Sequence, residues 1–206
     1  MDNFPEFRGF KKIARLSRDI IITEKIDGTS GLIYIDEKNN IFVGSRNQWL
    51  WGSIEPDKMI NNHGFGVWAH RNQDELRQLG KGYHYGEWWG KGIQRGYGLE
   101  EKRFSLFNVS RWCMWNETPK LISVDPKTNA EKYQDKAPQC CYIVPVLYNG
   151  MFDMLAIGLC LERLALEGSV ASPGFAPAEG IVIFHTHAGI MFKKTLVGDE
   201  KGKVDQ

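Results

Sequence analysis

The chain is 206 residues long, 42% hydrophobic, 12% aromatic and 25% charged, and its 26 Lys and Arg against 25 Asp and Glu give a formal charge of +1. That apolar content supports a core and excludes wholesale disorder, and the balanced charge excludes a uniformly basic nucleic-acid protein while leaving room for a local basic patch. No run of about 18 apolar residues predicts a membrane span, and the N-terminus lacks an apolar signal region. Cys113, Cys140, Cys141 and Cys160 show no CxxC spacing and read as reduced thiols of a cytosolic protein.

In chain order, short β-branched runs predict strands at Asp19–Thr23, Gly31–Ile35 and Ile41–Val43, the last two joined by the polar turn Lys38-Asn39-Asn40. His70–Leu79 has helical spacing, with Gly80 where a C-terminal cap belongs. Tyr83–Trp89 and Arg103–Val109 read as strands, and the polar, proline-containing stretch from Asn116 to Gln139 as a long surface excursion. Tyr142–Leu147 predicts a strand, Met154–Leu166 a helix ending near Gly168, and Glu179–Phe184 with Gly189–Leu196 a pair of strands joined by His185–Ala188. The sum is an α+β protein of mainly antiparallel sheet with few helices.

Five features carry chemistry. Lys25-Ile26-Asp27-Gly28 ends the first strand. A lysine beside other cations, or in a dry pocket, loses its proton and becomes a nucleophile, and a glycine there permits a sharp turn; alone, the tetrapeptide fits a solvated lysine better. Glu87 is a mid-strand carboxylate before a glycine-rich turn, suited to ribose hydroxyls or to an exposed edge; Trp88 and Trp89 alternate behind it, so one of the two is expected in the core. Phe104 and Leu106 alternate with Ser105 and Phe107, which makes Phe107 either a ring for stacking on a purine or part of the core. Glu179 precedes a hydrophobic strand, as a solvated acid or as a magnesium ligand, since magnesium takes one or two carboxylates plus water and phosphate oxygens. Lys193 and Lys194 place cations inside a strand on opposite sides, for a phosphate or at a sheet edge. His185 and His187 invite a metal site, but with no cysteine at ligand spacing nearby they read as a solvated loop.

Taken together and in this order, these features resemble the covalent nucleotidyltransferase superfamily of ATP-dependent DNA and RNA ligases and mRNA-capping enzymes. Within it the chain most resembles the RNA ligase 2-like branch of the RNA ligase family. Thr23–Ser30 (TEKIDGTS) is similar to the nucleophile motif, and Gly86-Glu87 with Gly92-Ile93-Gln94 to the third motif. Phe107-Asn108-Val109 resembles the adjoining aromatic motif, Glu179–Ile183 (EGIVI) the fourth and Phe192-Lys193-Lys194 the fifth. The resemblance runs from about Phe4 to Leu196.

The resemblance implies the ATP-grasp-like adenylation fold and a three-step reaction. Lys25 attacks the α-phosphate of ATP to form lysyl-AMP, AMP passes to a 5′-phosphate end, and a 3′-hydroxyl seals the strand. It further implies that Lys193, or else Lys194, holds the α-phosphate (on an extended chain only one of the adjacent pair can face it, and Lys193 is chosen), that Glu179 anchors Mg2+ (Mn2+ as an alternative), and that Glu87 binds ribose. Phe107 would stack on adenine, Glu24 would read the adenine edge, Ile26 would line the nucleotide site, and Arg46 would contact sugar or phosphate. Two positions depart from the family pattern: Lys193 and Lys194 are adjacent rather than separated by one residue, and Asn108 stands where Asp is usual. Residues 1–196 are then expected to form the adenylation domain and 197–206 a charged, flexible tail. Only twelve residues follow Lys194, so no OB-fold or helical C-terminal domain is expected, and a partner chain or domain would aid the grip on nucleic acid. The setting implied is cytoplasmic, host cytoplasm if viral, in RNA repair, with RNA the favoured substrate and no membrane. A DNA ligase, a capping-type guanylyltransferase and a non-catalytic nucleotide-binding relative are the alternative readings.

Overall fold

A computed structural model describes residues 6, 8–10 and 12–199. Two β-sheets dominate it. The larger has six strands in the order β11-β6-β5-β2-β3-β4: β2 (Thr29–Ile35), β3 (Ile41–Gly44), β4 (Trp49–Gly52), β5 (Gly82–Gly90), β6 (Lys102–Leu106) and β11 (Cys141–Ile143). The smaller has four in the order β12-β1-β13-β14: β1 (Asp19–Lys25), β12 (Val146–Met151), β13 (Gly180–His185) and β14 (Ile190–Thr195). All ladders in these two sheets are antiparallel except β11–β6.

Each sheet buries one face against helix. Under the larger sheet, α1 (Phe65–Arg71) and α2 (Gln73–Leu76) bring Phe65, Ala69 and Leu76 onto Ile33, Ile35, Val43, Trp88, Phe104 and Leu106. Under the smaller, α3 (Met154–Glu167) lays Ile157, Cys160 and Leu164 on Ile20, Ile22, Ile181 and Ile183. A third cluster, Ile26, Trp89, Tyr97 and Val144, joins the two sheets. Fully burying a large apolar side chain stabilises by about 1.5–3 kcal/mol, so these clusters, not helix propensity, hold the short α1 and α2 in place.

The expected strands and α3 are present, with instructive shifts. Asp153 caps α3, its Oδ1 accepting from the Leu155 N–H at 2.8 Å, and Gly168 ends it at φ 83°. The expected helix over 70–79 instead begins at Phe65, breaks at Asn72 (φ −104°) and ends as a 3₁₀ turn at Arg77–Leu79. No side chain caps α1, so the sequence carries no start signal there. The expected strand Tyr142–Leu147 is split at Pro145 between the two sheets, because proline has no N–H to continue the ladder. The excursion after Asn116 holds a hairpin of β8 (Leu121–Val124) and β9 (Glu131–Tyr133), and β10 (Asp135–Lys136) pairs in parallel with β7 (Trp112–Cys113). Trp88 and Trp89 are both buried, on opposite faces of β5 in different clusters, because the larger sheet is covered on both sides at that point. The start of the expected tail folds back, Asp199 accepting from the Thr195 N–H at 3.0 Å; 200–206 lie outside the described residues. All four cysteines are free, and no helix among the described residues is long and apolar enough to cross a membrane.

Gly86 marks how tightly β5 and β6 meet: a Cβ there would lie 2.4 Å from the Ser105 carbonyl oxygen and 2.7 Å from the Phe104 ring. Gly86→Ala should therefore lower the unfolding free energy by about 2–3 kcal/mol, read as a lower urea midpoint at unchanged slope. An unchanged midpoint would contradict the packing described.

Candidate active site

Strand alternation sorts the site residues before any distance is measured. In an antiparallel ladder, directly opposed residues share a face. Thr23 opposes Val182, which opposes Lys193, and Lys25 opposes Gly180, which opposes Thr195. Lys25, Lys193 and Thr195 thus lie on one face of the smaller sheet. Glu24, Ile181 and Lys194 lie on the other, the face that packs on α3.

On the first face, Lys25 Nζ lies 2.6 Å from Glu179 Oε1, the two side chains 24% and 15% exposed. Glu179 Oε2 is buried with no hydrogen-bond partner among the described residues. Gly180, between Lys25 and Thr195, lets β14 close up: a Cβ there would sit 2.2 Å from the Lys194 carbonyl oxygen. Glu87 comes from the middle of the larger sheet, opposed by Ser30 and Ser105. It lies against the turn at Gly28, close enough to Lys25 for the two charges to interact. A Cβ on Gly28 would meet the Trp88 carbonyl oxygen at 2.5 Å and Glu87 Cγ at 3.0 Å, so glycine is what allows the turn to press on β5. Burial pushes the Glu87 carboxyl up to about 7; Lys25 opposes this, and Glu179 and Asp27 add to it.

Behind the turn lies a support that the sequence did not reveal. The Asp27 N–H donates to the Tyr97 hydroxyl at 2.7 Å, and Arg95 Nε donates to Asp27 Oδ2 at 2.9 Å while its Nη1 reaches the Pro177 carbonyl at 3.2 Å. Tyr97 is buried between Trp89 and Phe175, and burial raises its hydroxyl pKa, keeping it a neutral phenol. It sits at φ 54°, in a turn whose glycines were legible but whose tyrosine was not. Ser172 Oγ donates to the Tyr97 carbonyl at 2.8 Å.

The remaining expected residues divide. Phe107 lies just past β6 on the same face as Glu87, 43% exposed, its N–H donating to the Tyr85 carbonyl at 2.9 Å. Arg46 is exposed in the β3–β4 turn, which the Leu32–Gly44 pairing places toward the Ser30 end of the larger sheet. Glu24, expected at an adenine edge, lies inside the fold. It is buried on the α3 face and its oxygens are taken by protein donors, Ser169 Oγ at 2.6 Å and the Ala171 N–H at 2.8 Å, while burial raises its pKa. Ile26 is likewise 4% exposed and packed into the inter-sheet cluster. Lys194, the second candidate of the adjacent pair, faces away from Lys25 and pairs with Asp199 at 3.0 Å. His185 is not in a solvated loop: its Nδ1 accepts from the Ala188 N–H at 3.1 Å and its Nε2 meets the Leu16 carbonyl, also at 3.1 Å.

The donor set suits a magnesium-type ion rather than a zinc site. No group of three or more His, Cys, Asp or Glu converges among the described residues. Glu179 offers one carboxylate with an unpartnered oxygen, and such an ion takes its other ligands from water and phosphate.

Comparison with known proteins bears on this arrangement. A family model described as RNA ligase matches residues 18–195. A Naegleria gruberi RNA ligase in an apo form is 19% identical, with a TM-score of 0.51, over 93% of this chain and 57% of that one. A variant of a Naegleria gruberi RNA ligase with ATP and Mn is 18% identical, with a TM-score of 0.52, over 87% and 49%. Another with AMP and Mn is 20% identical, with a TM-score of 0.52, over 87% and 50%. The chain thus spans about half the length of the solved structures it matches and shares their fold. The comparison with curated proteins returns no match.

The raised Glu87 pKa has a testable consequence. A carboxyl that holds its proton up to about 7 in the folded chain, against 4.5 as its ordinary value, costs stability as pH rises through that window, and the full cost is present above it. Glu87→Gln should therefore match the wild type near pH 4 and exceed it in stability by about 1–3 kcal/mol near pH 8, in metal-free buffer. Parallel stability curves across this range would contradict it.

Proposed function

The chain belongs to the RNA ligase family, and from that premise we propose that it is an ATP-dependent RNA ligase acting through a lysyl-AMP at Lys25. The observation that carries this reading is the set of groups around Lys25: the Glu179 carboxylate 2.6 Å from its nitrogen, Glu87 across the Gly28 turn, and Lys193 two register positions along on β14 but on the same face of the smaller sheet. Relatives of this fold hold ATP or AMP together with manganese, which supports a nucleotide and a divalent cation here.

In the first step, Lys25 Nζ parts from Glu179, gives its proton to solvent and attacks the α-phosphorus of ATP. The Nζ–P bond forms as the bond to the bridging oxygen breaks, and pyrophosphate leaves. Lys193, on the same face, stabilises the charge that builds on the α-phosphate oxygens. A divalent cation bound at Glu179 would supply the same charge neutralisation from the other side. Glu87 accepts from ribose hydroxyls and Phe107 stacks on the base. A 5′-phosphate oxygen then attacks the same phosphorus, breaking the Nζ–P bond and returning the amine. Finally a 3′-hydroxyl attacks the activated 5′-phosphate, forms the phosphodiester and releases AMP. Glu24 and Ile26 serve from behind by fixing the strand and turn that carry Lys25.

Incubation with ATP labelled at the α-phosphate, magnesium and then 5′-phosphorylated RNA tests this. Wild type should take up label and pass it to RNA, GTP should not substitute, and Lys25→Ala should take up none. The face assignment adds a sharper expectation. Lys193→Ala should slow labelling by about 10²–10³-fold, as expected for removing a transition-state contact, whereas Lys194→Ala should stay within a few-fold of wild type. Equal losses at both lysines would contradict the register argument, and an unlabelled wild type would remove the proposed activity.

A further inference from the structure

The open face of the larger sheet holds more aromatic surface than one nucleotide uses. Five rings form a connected layer across β4, β3, β2 and β5. Trp49 lies 5.9 Å from Phe42 and 6.4 Å from Tyr34, and Phe42 lies 5.9 Å from Tyr34. Tyr34 stacks on Tyr83 at 4.4 Å, and Tyr83 on Tyr85 at 6.2 Å with the planes 11° apart. Trp49 is 48% exposed, Tyr83 57% and Tyr85 56%. Strand alternation explains the layer: Tyr34, Phe42, Tyr83 and Tyr85 occupy every second position, and the positions between them, Ile33, Ile35, Ile41, Val43 and His84, are buried beneath. Gly44 lets Trp49 and Leu32 close over it, since a Cβ there would lie 3.3 Å from the Trp49 ring and 3.4 Å from Leu32.

The layer is continuous with the candidate active site. Its Tyr85 end abuts Phe107 through the main-chain hydrogen bond at 2.9 Å, and it shares a face with Glu87 and Ser30. Its Trp49 end is reached by the turn carrying Arg46. Rings laid side by side with a cation at the rim suit a strand whose bases are free to stack and whose backbone is anionic. A double helix keeps its bases stacked on one another and offers no ring faces to such a layer.

We infer that this aromatic face is a docking surface for unpaired nucleotides of the RNA substrate, leading from the exposed edge of the larger sheet to the site at Lys25. It rests on the RNA ligase reading and deepens it by assigning the substrate a single-stranded segment next to the reacting end.

The test is binding of a short, unstructured, 5′-phosphorylated oligoribonucleotide, measured by fluorescence anisotropy, with self-labelling by ATP followed in parallel. The double variant Tyr83→Ala/Trp49→Ala should bind at least about tenfold more weakly, since stacking of a single base is commonly worth that much. It should still fold cooperatively, with a melting temperature lowered by the lost ring contacts, and its labelling by ATP should remain that of wild type, because neither side chain belongs to the nucleotide site. The double variant Tyr83→Phe/Trp49→Phe should keep most of the affinity, because it keeps the rings. An Ala variant that folds, labels normally and binds the oligoribonucleotide as wild type does would overturn the inference while leaving the ligase reading intact. So would a wild type that self-associates through this face and loses only that association in the variant. A ring-dependent affinity in a protein that never labels would support the surface and remove the proposed activity instead.

Discussion

The arrangement depends on the antiparallel pairing of β1 with β13 and of β13 with β14. That ladder places Lys25, Gly180 and Thr195 in one row and, two positions along on the same face, Thr23, Val182 and Lys193 in another. Because successive side chains alternate, the same ladder turns Glu24 and Lys194 away. A slip of one residue would exchange the two sets, leaving Glu24 where the proposed nucleophile sits and a lysine in the core. The apolar contacts of Ile20, Ile22, Ile181 and Ile183 with α3 forbid that slip, so the packing of the smaller sheet fixes the chemistry on its other face.

Two kinds of support carry the strain of this placement. Gly28 and Gly180 permit backbone approaches that any side chain would block, one toward Glu87 and one toward β14. Polar groups under the turn then hold it still. Glu24 is a buried carboxylate, which would cost several kcal/mol if left bare, but Ser169 and the Ala171 N–H give it charge-assisted hydrogen bonds of about 1.5–3 kcal/mol each. Asp27 is tied to Tyr97 and Arg95 in the same way, so both residues flanking Lys25-Ile26 are anchored to segments far away in sequence. Lys25 itself is left with Glu179 as its close partner and room on the open side.

How far the sequence disclosed this can be traced residue by residue. Lys25, Glu87, Phe107, Glu179 and Lys193 stood out in the sequence only as an ordered set resembling the family's motifs, since each alone fits an ordinary structural place as well or better. The strands themselves followed from β-branched runs, and α3 from its spacing and Gly168. What stayed hidden depends on contacts made at long range. Tyr97 and Ser169 look ordinary in sequence and acquire roles only when the chain brings them under β1. Alternation alone favoured Lys193 over Lys194, and the register of β14 puts Lys193 on the face of Lys25. The division of the strand at Pro145, and the burial of both Trp88 and Trp89, come from a second layer of packing that no single-strand pattern encodes.

The central claim is that the amine of Lys25, set against Glu179 by that register, forms the bond to phosphorus. Tandem mass spectrometry of peptides from protein incubated with ATP and magnesium tests it most directly. The account predicts a single AMP adduct, on the peptide spanning residues 19–28 and localised to Lys25. An adduct on Lys193, Lys194 or any other residue, or no adduct at all, would contradict it.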